Sequence, residues 1–144
     1  MKIFLVAGEE SGDQLGAPLM RALRARVPGV VFAGVGGDAM AREGLTSLFP
    51  LKDIAVMGFI PVLKRLPTLL ERIDRTAKAA LAFAPDLTIV IDSPDFTHRV
   101  ARKLRAGAPD VPIVDYVCPS VWAWRPGRAK KMAAYLDQVL CLLP

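Results

Sequence analysis

A chain of 144 residues can bury one substantial core, and 53% hydrophobic against 23% charged residues excludes a disordered tail. The formal charge of +5, with a pI near 9.6, leaves two readings open: an anionic partner such as phosphate, nucleic acid or acidic headgroup, or a solvated basic surface. One histidine (His98) and two cysteines (Cys118, Cys141) without ligand spacing argue against zinc and fit a reducing cytosol.

The apolar start at residues 3–7 is too short for a signal peptide, and Glu9 and Glu10 follow at once. No apolar run approaches the length that crosses a bilayer. Residues 2–7 read as a first strand, 8–13 as a turn, and 15–26 as a helix with Leu15, Leu19 and Leu23 inward. Pro28-Gly29 breaks that helix. Residues 30–35 form a second strand, closed by Gly34-Val35-Gly36-Gly37. Asp38 caps a short helix through Arg42, Gly44 ends it, and residues 47–51 are ambiguous. From Gly58 the spacing is helical and restarts at Pro67, running to about Phe83.

Residues 87–91, an apolar run rich in β-branched side chains, read as a strand buried on both faces. A helix opened by Pro94 ends near Gly107, residues 111–117 are the next strand, and 118–124 a loop. Pro126 starts another helix, and 138–142 a last strand. Strands alternating with helices, each strand a continuous apolar run, predict a single α/β domain over 1–144 with a parallel sheet covered on both faces.

Three stretches carry chemistry. Past the buried strand the sequence changes from hydrocarbon to Asp92, Ser93 and Asp95. In open α/β sheets ligands sit outside the carboxyl ends of strands, which makes Asp92 the leading candidate for a catalytic base. Against this, Asp92 or Asp95 can simply cap the following helix; our division assigns Asp92 to the cleft and Asp95 to structure. His98, inside that helix, reads as a surface or hydrogen-bond-satisfied histidine.

Gly8-Glu9-Glu10-Ser11-Gly12-Asp13, between strand and helix, matches no dinucleotide or triphosphate fingerprint. Its acidic residues suit sugar hydroxyls, while Ser11 and Asp13 serve equally well as plain N-caps. The third stretch sets Trp122 and Trp124 in a loop followed by Arg125, Arg128, Lys130 and Lys131. Aromatic faces stack on sugars and cations pair with phosphate; alternatively the tryptophans plug the sheet edge and the cations are solvated.

Val6-Ala7-Gly8-Glu9-Glu10-Ser11-Gly12-Asp13, Gly34-Val35-Gly36-Gly37, Ala55-Val56-Met57-Gly58, Ile91-Asp92-Ser93-Pro94-Asp95-Phe96 and Pro119-Ser120-Val121-Trp122-Ala123-Trp124-Arg125 follow one another along the chain. In these segments, in this order, the chain resembles the N-terminal half of the lipid-A-disaccharide synthase family. The resemblance implies a Rossmann-like, doubly wound parallel sheet, the N-terminal domain of a glycosyltransferase-B architecture. It implies transfer from UDP-2,3-diacylglucosamine to 2,3-diacylglucosamine 1-phosphate (lipid X), giving lipid A disaccharide 1-phosphate and UDP. The C-terminal donor-binding half is absent, so this chain alone is expected to be inactive. The alternative is a stand-alone binding module for a phosphorylated glycolipid or nucleotide.

In family terms Asp92 is the base. Glu9, Ser11 and Asp13 position acceptor hydroxyls, and Trp122, Arg125, Arg128 and Lys131 meet the sugar and its phosphate. No metal and no cofactor are implied, and no nucleic-acid motif is present. Acylated substrates imply an anionic membrane surface, with the protein peripheral on the cytoplasmic face of the inner membrane. Phe59, Ile60, Val62, Leu63 and Leu66, flanked by Lys64 and Arg65, are the expected contact, with core packing from Leu69 onward.

Overall fold

A computed structural model of the chain describes residues 1–54, 62–118 and 127–141, with backbone alone at 62–65 and 128. Among these the apolar runs become five strands: β1 (Lys2–Ala7), β2 (Val31–Val35), β3 (Leu87–Ile91), β4 (Ile113–Tyr116) and β5 (Gln138–Leu140). They form one sheet ordered β2-β1-β3-β4-β5, every neighbouring pair parallel. The helices are α1 (Glu10–Arg26), α2 (Asp38–Arg42), α3 (Val62–Phe83), α4 (Pro94–Gly107) and α5 (Gly127–Met132), with a 3-10 turn at Leu51–Asp53.

A parallel sheet needs cover on both faces, and the pleat delivers alternate side chains to each. Ile3, Leu5, Ile89 and Ile91 pack with Met20 of α1 and Met40 of α2. Phe4, Val6, Val90 and Ile113 pack with Ile73 of α3, Leu104 of α4 and Met132 of α5. The result is the doubly wound, Rossmann-like α/β fold expected from the strand and helix alternation.

Three expectations are corrected. First, α1 begins at Glu10, five residues before the expected start, so Ser11 and Asp13 lie in its first turn and neither caps it. Glu10 and Asp13 suit the positive end of the helix dipole. Gly12 lets the helix lie against β3, where a methyl would stand 3.0 Å from the Ile91 carbonyl oxygen. Second, α3 passes through Pro67 without a restart. Its inward stripe is Leu69, Ile73, Ala77 and Ala80. Leu70, expected in the core, lies about 100° round the helix from Leu69 and is 45% exposed. Third, the last strand ends at Leu140. The ambiguous segment contributes a parallel bridge from Ser47 to Gly34 before the 3-10 turn. Among the described residues no helix is long and apolar enough to cross a membrane.

Gly34 fixes how closely β2 approaches β1. Its φ is +143°, and a Cβ there would lie 1.8 Å from the Leu5 carbonyl oxygen. Gly34→Ala is expected to lower stability by at least about 2 kcal/mol in urea unfolding. An unchanged midpoint would contradict this strand pairing.

Candidate active site

The chain leaving β1 crosses to β2 on one side, while the chain leaving β3 crosses to β4 on the other. Between the carboxyl ends of β1 and β3 the topology reverses, and open α/β sheets form their ligand crevice at such a point. The two loops meeting there carry Glu9 and Ser11 from one side and Asp92 from the other.

The Asp92 backbone is tightly specified. Asp92 (φ +54°) and Ser93 (φ +45°) are consecutive non-glycine residues in the left-handed region, turning the chain from β3 into α4 within two residues. The Asp92 N–H donates to the Tyr116 carbonyl at 3.2 Å, and its own carbonyl accepts from Thr97 Oγ1 at 2.7 Å. The Ser93 N–H donates to Asp92 Oδ1 at 2.8 Å. Gly8 completes the fit, because a Cβ there would lie 2.4 Å from the Ser93 Cβ.

The second carboxylate oxygen is turned toward the loop that leaves β1. Asp92 is half-buried, and its Oδ2 lies 2.6 Å from Oγ of the exposed Ser11. The same hydroxyl lies 2.8 Å from Glu9 Oε1, and Glu9 is also exposed. One hydroxyl carries one proton, so it serves only one of these two carboxylates at a time. Two carboxylate acceptors sharing one donor leave acceptor capacity for a further hydroxyl donor.

Asp13 is not brought to the crevice. It is 1% exposed, and its carboxylate accepts from the N–H groups of Gly37 (2.8 Å), Ala39 (2.8 Å) and Met40 (3.0 Å). It therefore caps α2 from across the fold, and a ligand hydroxyl has no path to it. The sequence reading anticipated a cap but assigned it to the wrong helix. Beside this loop lies a cavity of about 620 Å³, lined by Glu10, Gly36, Gly37, Ser47, Phe49 and Leu51 among others. Sequence reasoning missed it; the only available signal was Gly34-Val35-Gly36-Gly37 closing a strand.

Asp95 is exposed in the first turn of α4 and makes no capping bond; the N-cap is Ser93. His98 is a satisfied core histidine: 3% exposed, with Nε2 3.1 Å from Asp115 Oδ2 and Nδ1 3.1 Å from the Tyr135 hydroxyl. Lys131 is exposed and lies with the cations of α4, in the groove between α4 and α5. Leu66 is 39% exposed on α3. Phe59, Ile60, Trp122 and Arg125 lie outside the described residues, as do the side chains of Val62, Leu63 and Arg128.

Comparison with known proteins adds two findings. The family model described as lipid-A-disaccharide synthetase matches residues 3–144. Curated relatives named lipid-A-disaccharide synthase include that of Nitrobacter hamburgensis, 62% identical over 99% of this chain, and that of Rhodopseudomonas palustris strain BisB18, 63% identical over 99%. The relative from Ruegeria pomeroyi is 55% identical over the whole chain. This chain spans 36% of the length of each of the three. Among solved structures it is similar to a UDP-GlcNAc 2-epimerase from Neisseria meningitidis bound to UDP-GlcNAc, with TM-score 0.64 and 12% identity, covering 98% of this chain and 40% of that one. It is also similar to S. aureus MnaA with UDP, with TM-score 0.63 and 15% identity, covering 97% and 38%. At such identities the likeness is one of fold.

The Asp13 cap generates a direct test. Asp13→Asn turns an amide N–H₂ toward backbone donors, and is expected to lower stability by about 3 kcal/mol. Hydrogen exchange at the Gly37, Ala39 and Met40 amides should accelerate with it. Unchanged protection there would show that Asp13 does not hold this loop.

Proposed function

The chain belongs to the lipid-A-disaccharide synthetase family, and on that premise we propose that it is the acceptor-side part of a glycosyltransferase. The reaction joins UDP-2,3-diacylglucosamine to 2,3-diacylglucosamine 1-phosphate, giving lipid A disaccharide 1-phosphate and UDP. The observation that carries the reading is the Glu9–Ser11–Asp92 cluster at the point where the sheet topology reverses.

In this mechanism an acceptor hydroxyl enters the cluster and donates to Asp92 Oδ2. As its oxygen forms the new bond to the anomeric carbon, the bond from that carbon to the UDP oxygen breaks, and its electron pair leaves with the diphosphate. Asp92 takes the hydroxyl proton, so the attacking oxygen ends as a neutral glycosidic oxygen and not as an oxonium. Ser11 and Glu9 orient the incoming hydroxyl, and Asp13 holds the neighbouring Gly37 loop in place. Trp122 and Arg125, with Arg128 and Lys131, meet the acceptor sugar and its phosphate. The donor nucleotide is held by the part of the relatives that extends past this chain.

Acylated substrates require contact with a bilayer. The segment containing Phe59, Ile60, Val62 and Leu63, continuing into exposed Leu66 and Leu70, supplies an apolar edge for an anionic membrane surface, on the cytoplasmic face of the inner membrane.

In the full-length protein, Asp92→Asn is expected to lower kcat by about 10²–10⁴-fold with KM and folding retained. Near-normal turnover would remove Asp92 as the base. Leu66→Ser combined with Leu70→Ser is expected to reduce co-sedimentation with anionic vesicles several-fold while shifting the melting temperature by only a few degrees. Global unfolding instead would mark these leucines as core.

A further inference from the structure

We propose that the groove between α4 and α5 is a binding site for a phosphate ester, built by Arg99, Arg102 and Lys131. A cavity of about 390 Å³ is lined by these three cations together with Asp95 and His98. It adjoins a second depression of about 580 Å³ that shares Arg102 and Lys131 and adds Arg105 and Tyr135. Three cations face one carboxylate in the first cavity, so its field favours an anion.

The cations of α4 are not equivalent. Arg105 is committed to an ion pair with Asp137. The Ile113 N–H and the Arg105 guanidinium together hold the Asp137 carboxyl below its ordinary range. Lys103 pairs with Asp74 at 2.8 Å on the α3 side. Arg99 and Lys131, by contrast, meet no acidic partner among the described residues.

Arg102 is held in position without being neutralised. Its guanidinium lies 4.7 Å from the centroid of the Tyr135 ring and donates to the Tyr135 hydroxyl at 3.3 Å. That hydroxyl is bonded to His98, and His98 to Asp115, a chain whose three members are 6%, 3% and 1% exposed. The guanidinium is thus anchored from the core, while Arg102 itself is exposed and lines the groove. A planar guanidinium fixed in this way matches the geometry of phosphate oxygens.

The phosphate has two possible sources with the same chemistry. The acceptor proposed above carries one, and Pro94 and Asp95 bring the groove within one helical turn of Asp92 in sequence. The other source is the headgroup of an anionic bilayer lipid. Only this choice of source rests on the proposed function; affinity for phosphate stands separately from it.

The test is an amide and side-chain NMR titration of the chain with inorganic phosphate at constant ionic strength. Saturable shifts are expected at Arg99, Arg102 and Lys131. Arg99→Gln, Arg102→Gln and Lys131→Gln should each weaken binding about ten-fold, and Lys103→Gln, the same charge change outside the groove, less than two-fold. Arg99 and Lys131 make no hydrogen bond to Tyr135 or His98, so their variants keep the test sound if Arg102→Gln disturbs Tyr135. Absence of saturable shifts, or an equal loss from Lys103→Gln, would overturn the site. Two further arms assign the source. Tighter binding of glucosamine 1-phosphate than of inorganic phosphate identifies the acceptor. A preference for phosphatidylglycerol-containing over phosphatidylcholine vesicles, lost in Arg99→Gln, identifies the bilayer.

Discussion

The crevice depends on a reversal of chain direction completed within two residues. Asp92 and Ser93 both adopt left-handed backbone, a conformation that costs a non-glycine residue roughly 1–2 kcal/mol. The cost is offset locally. The Thr97 hydroxyl lies within donating reach of the carbonyls of both residues and gives its one proton to either, the Ser93 amide closes on the Asp92 carboxylate, and the Asp92 amide is tied to β4 through the Tyr116 carbonyl. Gly8 then lies where any side chain would strike Ser93. Val117, at the carboxyl end of β4, also has positive φ, so three of the four non-glycine residues with left-handed backbone among those described lie on this rim of the sheet. A rim strained in this way places one carboxylate oxygen against Ser11 and keeps it there.

The two faces of the sheet contribute differently. On the α1/α2 face, Asp13 converts three orphan amides of the Gly37 loop and α2 into a rigid wall beside the crevice. On the α3/α4/α5 face, a buried acid-histidine-tyrosine chain runs from Asp115 on β4 to Arg102 at the surface. Among the described residues one oxygen of Asp115 has no hydrogen-bond partner, and neither has the buried hydroxyl of Thr88 on the neighbouring strand. Buried polar groups left unpaired are costly, whereas the paired members of such a network are rigidly placed. The chain through His98 and Tyr135 holds the Arg102 guanidinium on the same helix layer whose α3 exposes Leu66 and Leu70. Apolar edge and phosphate-reading cations on one layer suit a domain that, in our proposal, takes its acceptor from a bilayer.

Much of this was legible in the sequence because parallel strands buried on both faces leave uninterrupted apolar runs. Residues 87–91 read as a strand and are one, with Asp92 the first residue past it. What escaped was set by partners distant in the chain. Asp13 reads as a local N-cap, yet its donors lie 24 to 27 residues away. The first turn of α1 looked like a loop because Ser11 and Gly12 favour turns in isolation; tertiary contact with β3 overrides that preference. Leu70 looked like core because a proline at position 67 suggested a new helical phase, whereas the helix keeps one phase through it. Arg102 carried no sequence signal that separates it from Lys103 or Arg105; only the position of Tyr135 distinguishes it.

The central claim is that Asp92 Oδ2 receives the proton of the sugar hydroxyl that attacks. Its most direct test is a crystal structure of the full-length protein with acceptor and an unreactive donor analogue bound. The account predicts the attacking hydroxyl within about 3 Å of that oxygen, in the place where Ser11 now donates. A bound acceptor whose hydroxyl lies beyond about 5 Å from Asp92, with another group at hydrogen-bond distance from it, would contradict the account.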